Sequence, residues 1–520
     1  MTTASAAALP GAPSGPAPRG AADAVARWWT TAAAIAARAD RGRRARRLHV
    51  DAAALAGVAD PEPGAVASGA AALKLALIGL GGLVGGPVVG RVALRNNEAV
   101  TDLAWQYPGL VADLLADRSI EGGDEARRAR PLFARVQRAS AAGRYVITSD
   151  LHRGPAGTND WPGLQDTTSL YGALLDWYGD GGWGLVEDGD VEDFWMVGGS
   201  TYGVVYEVGR WLGHAWRGRS GRRLLRAVYA EHLRRVVDHN AAIYERIQDR
   251  FHAHGRYHRI VGNHDDAYLD EDVAARLAEV HPGLDVLDAL VLDGPDGGVG
   301  LVTHGHHTDA WNAPGRAGLG KLGTWLGSTV GDAPFTGGNP GRPTADATRR
   351  LLSGEQPSTL TEVSTLFGAN RHLYSMDEVV LHDAWTAHFG DAGPWLVLGH
   401  THLPLDRPAD PRGRRSWDRY VNAGCGVFHG MLTAVEWDGA AGPGDGSAPA
   451  VSLVAWHWAD GSTPDAAVVA EVDGRPVARR VLRRGPDGHL VVEPAVPAVP
   501  ADPPVSSVSS DAPEEGSDGR

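Results

Sequence analysis

Histidine, aspartate and asparagine residues recur along the middle of the chain, each time where a short apolar run ends. The runs cover residues 145–150, 184–190, 257–265, 299–306 and 394–402. The polar residues at their ends are Asp150, His152, Asp190, Asp193, Asn263, His264, His304, His400 and His402. Carboxylate, amide and imidazole groups suit divalent ions such as Mn²⁺, Fe and Zn²⁺. The pattern therefore predicts a metal centre that needs no thiolate ligand.

Each apolar run has the length and composition of a β-strand. Polar residues at the carboxyl ends of strands in α/β proteins converge on one crevice, so we expect these side chains to meet. The i, i+2 spacing of Asp150 with His152, and of His400 with His402, places two side chains on one side of an extended chain. Two adjacent cations need an anionic group between them, and the two oxygens of Asp190 suit that position.

In this order the motifs D-x-H, G-D-x-x-D, G-N-H-D, H-G-H and G-H-x-H resemble those of the calcineurin-like metallophosphoesterase superfamily. The resemblance spans roughly residues 145–437. It implies an α/β fold, a four-layer αββα sandwich of two mixed β-sheets flanked by helices. It also implies two divalent metal ions as cofactors, with Mn²⁺ the first choice and Fe or Zn²⁺ the alternatives.

The resemblance divides the ligands between two ions and gives them one shared carboxylate. One ion would be held by Asp150, His152 and His402. The other would be held by Asn263, His304 and His400. Asp190 would bridge the pair.

The chemistry that the resemblance implies is hydrolysis of a small phosphorylated substrate at an ester or an anhydride bond. Hydroxide shared by the two metals would attack phosphorus in line. His264 would assist the leaving group as general acid or electrostatic partner, and Asp193 would orient His264. Two alternatives stay open. One is a phosphomonoesterase rather than a diester or pyrophosphate hydrolase, and the other is a catalytically inactive phosphoesterase fold that serves as a binding scaffold.

Differences from the common motifs indicate which branch of the superfamily the chain resembles. The run GDVEDFW at 189–195 lacks the Arg of the protein Ser/Thr phosphatases, and GNHDD at 262–266 differs from their GNHE. A protein phosphatase is therefore disfavoured. HGHHTD at 304–309 and GHTHLP at 399–404 are loosely nearer the UDP-2,3-diacylglucosamine pyrophosphohydrolase branch. That branch carries a helical insertion before its last motif, which we place at about 310–392.

Four further residues are candidates for the rim of the site. Arg153 follows D-x-H directly and Arg371 lies in the expected insertion, so both are candidate phosphate ligands, with a solvated or salt-bridged arginine as the alternative. His306 and Asp309 are candidates for the site edge. The single cysteine, Cys425, is expected to pack as a small residue. One cysteine excludes an intrachain disulfide framework and a Cys-rich zinc module.

The 520 residues carry a formal net charge of −14, which disfavours nonspecific nucleic-acid binding. We expect four parts. Residues 1–20 would be disordered and 21–140 a helical extension. Residues 141–490 would be the metallophosphoesterase domain, and 491–520 a disordered tail.

A basic run at 38–47 and an apolar run at 75–90 stand in the extension. The apolar run has 16 residues, fewer than the ~20 that a spanning helix needs. We therefore expect a cytoplasmic protein. Membrane-surface contact through 38–90 is one interpretation, a buried or hinge segment is a second, and a spanning helix formed by the apolar run is a third. The sequence indicates no oligomeric state.

Overall fold

The structure is a computed structural model that describes most of the chain from residue 99 to residue 493. The described residues are 99–116, 132–156, 160–195, 219–295, 297–309, 312–314, 317, 320–321, 348–349, 351–353, 371–390, 393–408, 417–440, 449–459, 468–485 and 490–493. The predictions for 1–20, 38–90 and 494–520 lie outside these residues.

Fifteen strands are described and are numbered in chain order. They are β1 Val136–Ser140, β2 Arg144–Thr148, β3 Gly184–Asp188, β4 Tyr257–Ile260, β5 Val286–Leu287, β6 Ala289–Gly294, β7 Gly297–Val302, β8 Trp395–Leu398, β9 Pro404–Asp406, β10 Tyr420–Ala423, β11 Met431–Asp438, β12 Ala450–Trp458, β13 Val468–Val472, β14 Arg475–Arg484 and β15 Leu490–Val492.

Seven α-helices within the described residues are used below. They are α1 at 99–116, α2 Trp161–Leu164, α3 Thr168–Asp180, α4 Arg219–His239, α5 Ala241–Arg250, α6 Glu271–Ala278 and α7 Arg371–Phe389. Short 3₁₀ turns follow some strands and helices, at His252–His254, Asp266–Leu269 and His306–Thr308.

The strands form two mixed sheets. One has six strands in the order β1-β6-β7-β8-β10-β9, and the other has nine, in the order β13-β14-β12-β11-β2-β3-β4-β5 with β15 on β14. β2, β3 and β4 are parallel neighbours in the larger sheet. β7 and β8 are parallel neighbours in the smaller one. The five apolar runs of the sequence are these five strands. The carboxyl ends of three of them therefore lie together at one edge of the larger sheet, and those of the other two lie together at one edge of the smaller sheet.

The two sheets share one core and carry helices on their outer faces. Ile147 and Val186 of the larger sheet pack against residues of the smaller sheet such as Val302 and Val397. α3 and α5 cover the outer face of the larger sheet. α1 and α7 cover the outer face of the smaller sheet. The parallel strands are apolar on both faces because both are buried. The prediction of an α/β fold with two mixed sheets and flanking helices is confirmed at this level.

The expected helical extension is wrong near its end. α1 is helical, but Val136–Ser140 is a strand that pairs in parallel with β6 and is part of the smaller sheet. The sheet therefore begins before residue 141. The expected disordered tail is also wrong at its start, because β15 extends to Val492 and pairs with β14. Edge strands such as β1 are held by backbone pairing and need little apolar sequence of their own, which is why their residues gave no strand pattern.

The expected insertion at 310–392 lies between β7 and β8. Its described part contains α7 and short pieces that include Lys321 and residues 348–349 and 351–353. Leu351 packs into the core between the sheets, and Thr348 donates a hydrogen bond to the His429 carbonyl at 3.0 Å. These pieces are packed parts of the fold.

Candidate metal centre

The strand ends bring the predicted ligands together. Asp150 and His152 follow β2, Asp190 follows β3, and Asn263 follows β4 in the larger sheet. His304 follows β7, and the loop of His400 and His402 follows β8 in the smaller sheet. Most of these side chains are buried, and His402 is the most exposed, with 40% of its side chain accessible. The site therefore lies where the two sheets meet.

Five of the ligand residues have a left-handed backbone. Eight described non-glycine residues have a positive φ, and five of them are Asp150, His152, Asp190, His400 and His402, with φ between 48° and 67°. This conformation costs about 1–2 kcal/mol for a residue with a Cβ. The explanation of the i, i+2 spacing by an extended chain is therefore wrong. The left-handed residues turn the chain sharply so that side chains face the site, and such strain is typical of functional positions.

The first ligand group consists of Asp150, His152 and His402. His402 Nε2 lies 3.1 Å from both Asp150 Oδ1 and His152 Nε2, and His152 Nε2 lies 3.9 Å from Asp150 Oδ1. Ligand atoms bound ~2.0–2.2 Å from one ion are roughly 3.0–3.5 Å apart. Asp150 Oδ1 is buried and finds no hydrogen-bond partner in the described part of the chain. Three electron-rich atoms thus face one point, which suits a cation.

The second ligand group consists of Asp190, Asn263, His304 and His400. His304 Nε2 lies 3.3 Å from Asp190 Oδ2 and 3.3 Å from Asn263 Oδ1. Ligand atoms of Asp190, His304 and His400 all lie within 4.8 Å of one another. His400 Nδ1 is buried and has no hydrogen-bond partner among the described residues. Its lone pair is available to an ion in this group.

Asp190 lies between the two groups, and it faces both with one oxygen. Oδ2 is 3.3 Å from His304 Nε2 and 4.0 Å from His152 Nε2. The other oxygen, Oδ1, accepts a hydrogen bond from the His264 backbone N–H at 2.7 Å. The sequence argument assigned both oxygens to a bridge. In the structure one oxygen faces the site, and the other oxygen anchors the loop after β4.

Hydrogen bonds on the far side of each ring orient the histidines. His304 Nδ1 lies 2.8 Å from the Asp188 carbonyl, which accepts only, so Nδ1 carries a proton and Nε2 is the nitrogen that faces the site. His152 Nδ1 lies 3.1 Å from Asp193 Oδ2, and His400 Nε2 lies 2.9 Å from Asp309 Oδ2. Holding the outer nitrogen in this way is how metal-binding histidines are usually fixed.

The electrostatics favour a cation at the same point. Burial would lower the pKa of His304, but Asp190 and Asp150 outweigh it and raise that pKa to about 10. Burial would raise the pKa of Asp150, but His402 and His304 outweigh it and lower that pKa to about 2. The carboxylates therefore stay ionised and attract positive charge. These buried His and Asp groups could hold a metal ion.

His264 stands beside the first group and is held by Asp193. Its Nδ1 lies 3.0 Å from Asp193 Oδ1, as an ion-pair contact that is not aligned as a hydrogen bond. Burial would lower the pKa of His264, but Asp193 and Asp190 raise it to about 9. The ring meets that of His152 edge-on at 4.7 Å. The structure places His264 and Asp193 together as expected, and Asp193 also holds His152.

Two glycines leave the space that the ligands need. A Cβ on Gly262 would overlap Asp190 Oδ1 and the Asp190 backbone nitrogen. A Cβ on Gly189, whose φ is 76°, would overlap the ring of His304. No residue with a side chain fits either position without moving a ligand.

Arg153 lies outside the site, and its assignment as a phosphate ligand is wrong. Only 2% of the residue is exposed, and its guanidinium pairs with Glu187, with Glu192 at 3.7 Å. The group also lies over the rings of Tyr171 and Tyr244, at 5.1 and 5.4 Å. Its charge is already matched in the core, so no substrate can reach it.

The other rim candidates have separate outcomes. Arg371 begins α7, and its side chain lies outside the described residues. Asp309 is buried and contacts His400, so it supports a ligand rather than lining an edge. His306 is buried, with its ring centroid 5.4 Å from that of His304. Cys425 is a buried free cysteine in the core between the sheets, and burial raises the pKa of its thiol.

Sequence reasoning missed residues that hold the ligand loops. Asn422 of β10 donates to the Gly399 carbonyl at 2.8 Å and so fixes the loop that carries His400 and His402. Ser149 donates to Asp150 Oδ2 at 2.6 Å and lies next to a ligand in sequence. Its position directly before Asp150 was an available signal, whereas Asn422 had none.

No family model matches this chain, and no curated protein matches it either. Within the described ranges, none of the helices combines the length and apolar character needed to cross a membrane. The chain is an α/β protein of two mixed sheets, with buried His and Asp groups that could hold a metal ion.

Proposed function

We propose that the protein is a dinuclear metal-dependent phosphohydrolase with a metallophosphoesterase-type sandwich. The observation that carries the proposal is the position of Asp190, one oxygen of which faces two separate ligand groups. A carboxylate shared in this way is what two neighbouring divalent ions require. His264 beside the same carboxylate adds a proton donor where a leaving group would depart.

The residues would divide the work as follows. Asp150, His152 and His402 hold one ion. Asn263, His304 and His400 hold the other. Two bound divalent ions supply an activated water at neutral pH and neutralise charge on a phosphoryl group.

The chain's own acid chemistry rests on His264. Against the effect of burial, Asp193 and Asp190 raise the pKa of His264 to about 9, which favours a protonated imidazole that could give a proton to a leaving oxygen. Asp193 remains ionised because His264 and His152 oppose the effect of burial and lower its pKa. A carboxylate that stays charged stabilises the imidazolium beside it. The substrate we propose is a small phosphorylated molecule cleaved at an ester or anhydride bond.

The test combines metal analysis with a substrate panel. Purified protein is loaded with Mn²⁺, Fe²⁺ or Zn²⁺, its bound metal is measured, and it is assayed on an aryl phosphodiester, an aryl phosphomonoester and a nucleoside diphosphate. We expect two ions per chain and turnover of at least one compound. A matched control is His388→Ala, which removes an exposed histidine of α7 and should keep both. Two bound ions without turnover would favour a binding scaffold. The absence of both bound metal and turnover would refute the proposal.

A further inference from the structure

Trp195 is fully buried beside His264 and has no role in the mechanism above. The indole stacks on the imidazole of His264, with centroids 4.5 Å apart and ring planes 28° apart. The Trp195 backbone N–H donates to Asp193 Oδ1 at 2.8 Å. The same oxygen lies 3.0 Å from His264 Nδ1. Trp195 therefore touches both members of the His264–Asp193 pair.

The indole is itself anchored from a second side. Its Nε1–H donates to Asp266 Oδ1 at 3.2 Å. Lys321 Nζ lies 2.5 Å from Asp266 Oδ2 and 5.2 Å from the centroid of the Trp195 ring. Lys321 comes from the segment between β7 and β8, whereas Asp266 follows the ligand loop after β4. The indole is thus fixed by two elements that are far apart in sequence.

Asp193 alone does not fix the plane of the His264 ring. The contact with Asp193 is made at one atom, Nδ1, and a contact at one atom does not define the plane of the ring. A proton donor is efficient only when its N–H points at the departing oxygen. A flat aromatic surface against one face of the imidazole restricts rotation of the ring, and a stacked aromatic pair is favourable beyond its burial.

We propose that Trp195 is a positioning residue that fixes the ring plane of His264, with Asp266 and Lys321 holding the indole. The inference rests on the proposed function, in which His264 donates a proton to the leaving group. It predicts that loss of the indole slows hydrolysis most for substrates whose leaving group must be protonated. A phenyl ester needs protonation more than a p-nitrophenyl ester, because phenoxide is the stronger base.

The kinetic test compares Trp195→Leu and Trp195→Phe on phenyl and p-nitrophenyl phosphodiesters with Mn²⁺ present. Since general acids contribute about 10²–10⁴-fold, we expect Trp195→Leu to lower kcat about tenfold or more on the phenyl ester. On the p-nitrophenyl ester the loss should be under about twofold, with KM and bound metal unchanged. Trp195→Phe keeps an aromatic face, so its kcat on the phenyl ester should be close to that of the wild type. An equal loss on both esters would overturn the proposal.

A second measurement needs no turnover. In protein labelled with ¹⁵N-histidine, the imidazole signals of His264 should shift or broaden in Trp195→Leu and stay close to wild type in Trp195→Phe. Signals that do not change in Trp195→Leu would overturn the positioning role. Failure of the wild-type protein to hydrolyse any ester would refute the proposed function but leave this spectral result to decide the role of Trp195.

Asp266→Asn covers the case in which Trp195→Leu does not fold. Asp266 is partly exposed, with 28% of its side chain accessible, so its replacement leaves the core packed. The variant weakens the contact with Lys321 and should reproduce a smaller version of the same spectral and leaving-group effects. No effect of Asp266→Asn on either readout would count against the anchored indole.

Discussion

Asp309 Oδ2 lies 2.9 Å from His400 Nε2, on the opposite side of the ring from Nδ1, which is buried without a described hydrogen-bond partner. The carboxylate therefore selects the nitrogen that faces the second ligand group. Asp309 comes from the turn after His304, and Asn312 also contacts its Oδ2. Two of the five motifs are thus linked through a residue that belongs to neither ligand group.

This contact predicts the effect of Asp309→Ala. Removal of a carboxylate behind a metal-binding histidine typically weakens metal affinity about 10–100-fold, and we expect that loss at one of the two ions. Asp309→Asn keeps an oxygen acceptor and should lose less. Calorimetric titration with Mn²⁺ measures both variants, and Asp180→Ala, at a side chain that is 74% exposed, is the control. Unchanged affinity in Asp309→Ala would contradict the assignment.

Variants at Asp190 and His264 should separate the effects of metal binding from those of proton donation. Asp190→Ala removes the shared ligand, so bound metal and turnover should be lost together. His264→Ala should keep both ions and lose rate by about 10²–10⁴-fold, the usual contribution of a general acid. Metal content by mass spectrometry and initial rates are measured on the same samples. Normal turnover by His264→Ala would show that its assigned role is wrong.

Arg153 should act through stability and not through substrate binding. Glu187 lies between Arg153 and Arg259, and although burial would raise its pKa, the two arginines lower that pKa to about 2. Breaking a buried ion pair from one side typically costs about 3–5 kcal/mol. Arg153→Met should therefore lower the free energy of unfolding by roughly that amount, with KM unchanged.

Denaturant unfolding and steady-state kinetics decide between the two roles. Arg235→Met is the matched control, since it removes a surface arginine that is 43% exposed and pairs with Glu231. Its effect should be within about 1 kcal/mol. A large increase in KM by Arg153→Met with normal stability would restore the phosphate-binding assignment.

His258 should make the folded state sensitive to acid. Its Nδ1 lies 3.0 Å from Gln137 Oε1 across the two sheets, and burial lowers its pKa from 6.5 to about 4. Because the folded pKa is below the unfolded one, the unfolded chain takes up the proton first as pH falls. The contribution of His258 is therefore complete above about pH 6.5 and is lost progressively towards pH 4.

His258→Gln isolates this contribution. Glutamine keeps a donor for Gln137 and does not titrate. The free energy of unfolding should then fall less steeply between pH 6.5 and 4, by up to about 1.4 kcal/mol per pH unit. The difference between the two proteins cancels the titration of all other groups. Parallel curves for variant and wild type would contradict a depressed pKa at His258.

The sequence predicted the centre of the molecule better than its borders. The five strand ends could be recognised because each joins an apolar run to metal-binding residue types, a local pattern. The environment of Arg153 could not, because the glutamates and tyrosines around it come from separate strands and helices. β1 was missed for a related reason. Its sequence, VQRAS, has no apolar run and becomes a strand only by pairing with β6.

The place of β1 has a practical consequence for recombinant fragments. A fragment that starts at residue 141 would lack the strand that covers β6, whose first four residues, from Ala289 to Leu292, are fully buried. The unpaired backbone of an apolar edge strand is a template for association with other chains. It would also lose the ion pairs of Arg135 with Asp288 and of Arg138 with Asp293. Such a fragment should aggregate where one that begins before α1 stays dispersed, so the folded unit must be cut upstream of its first recognisable motif.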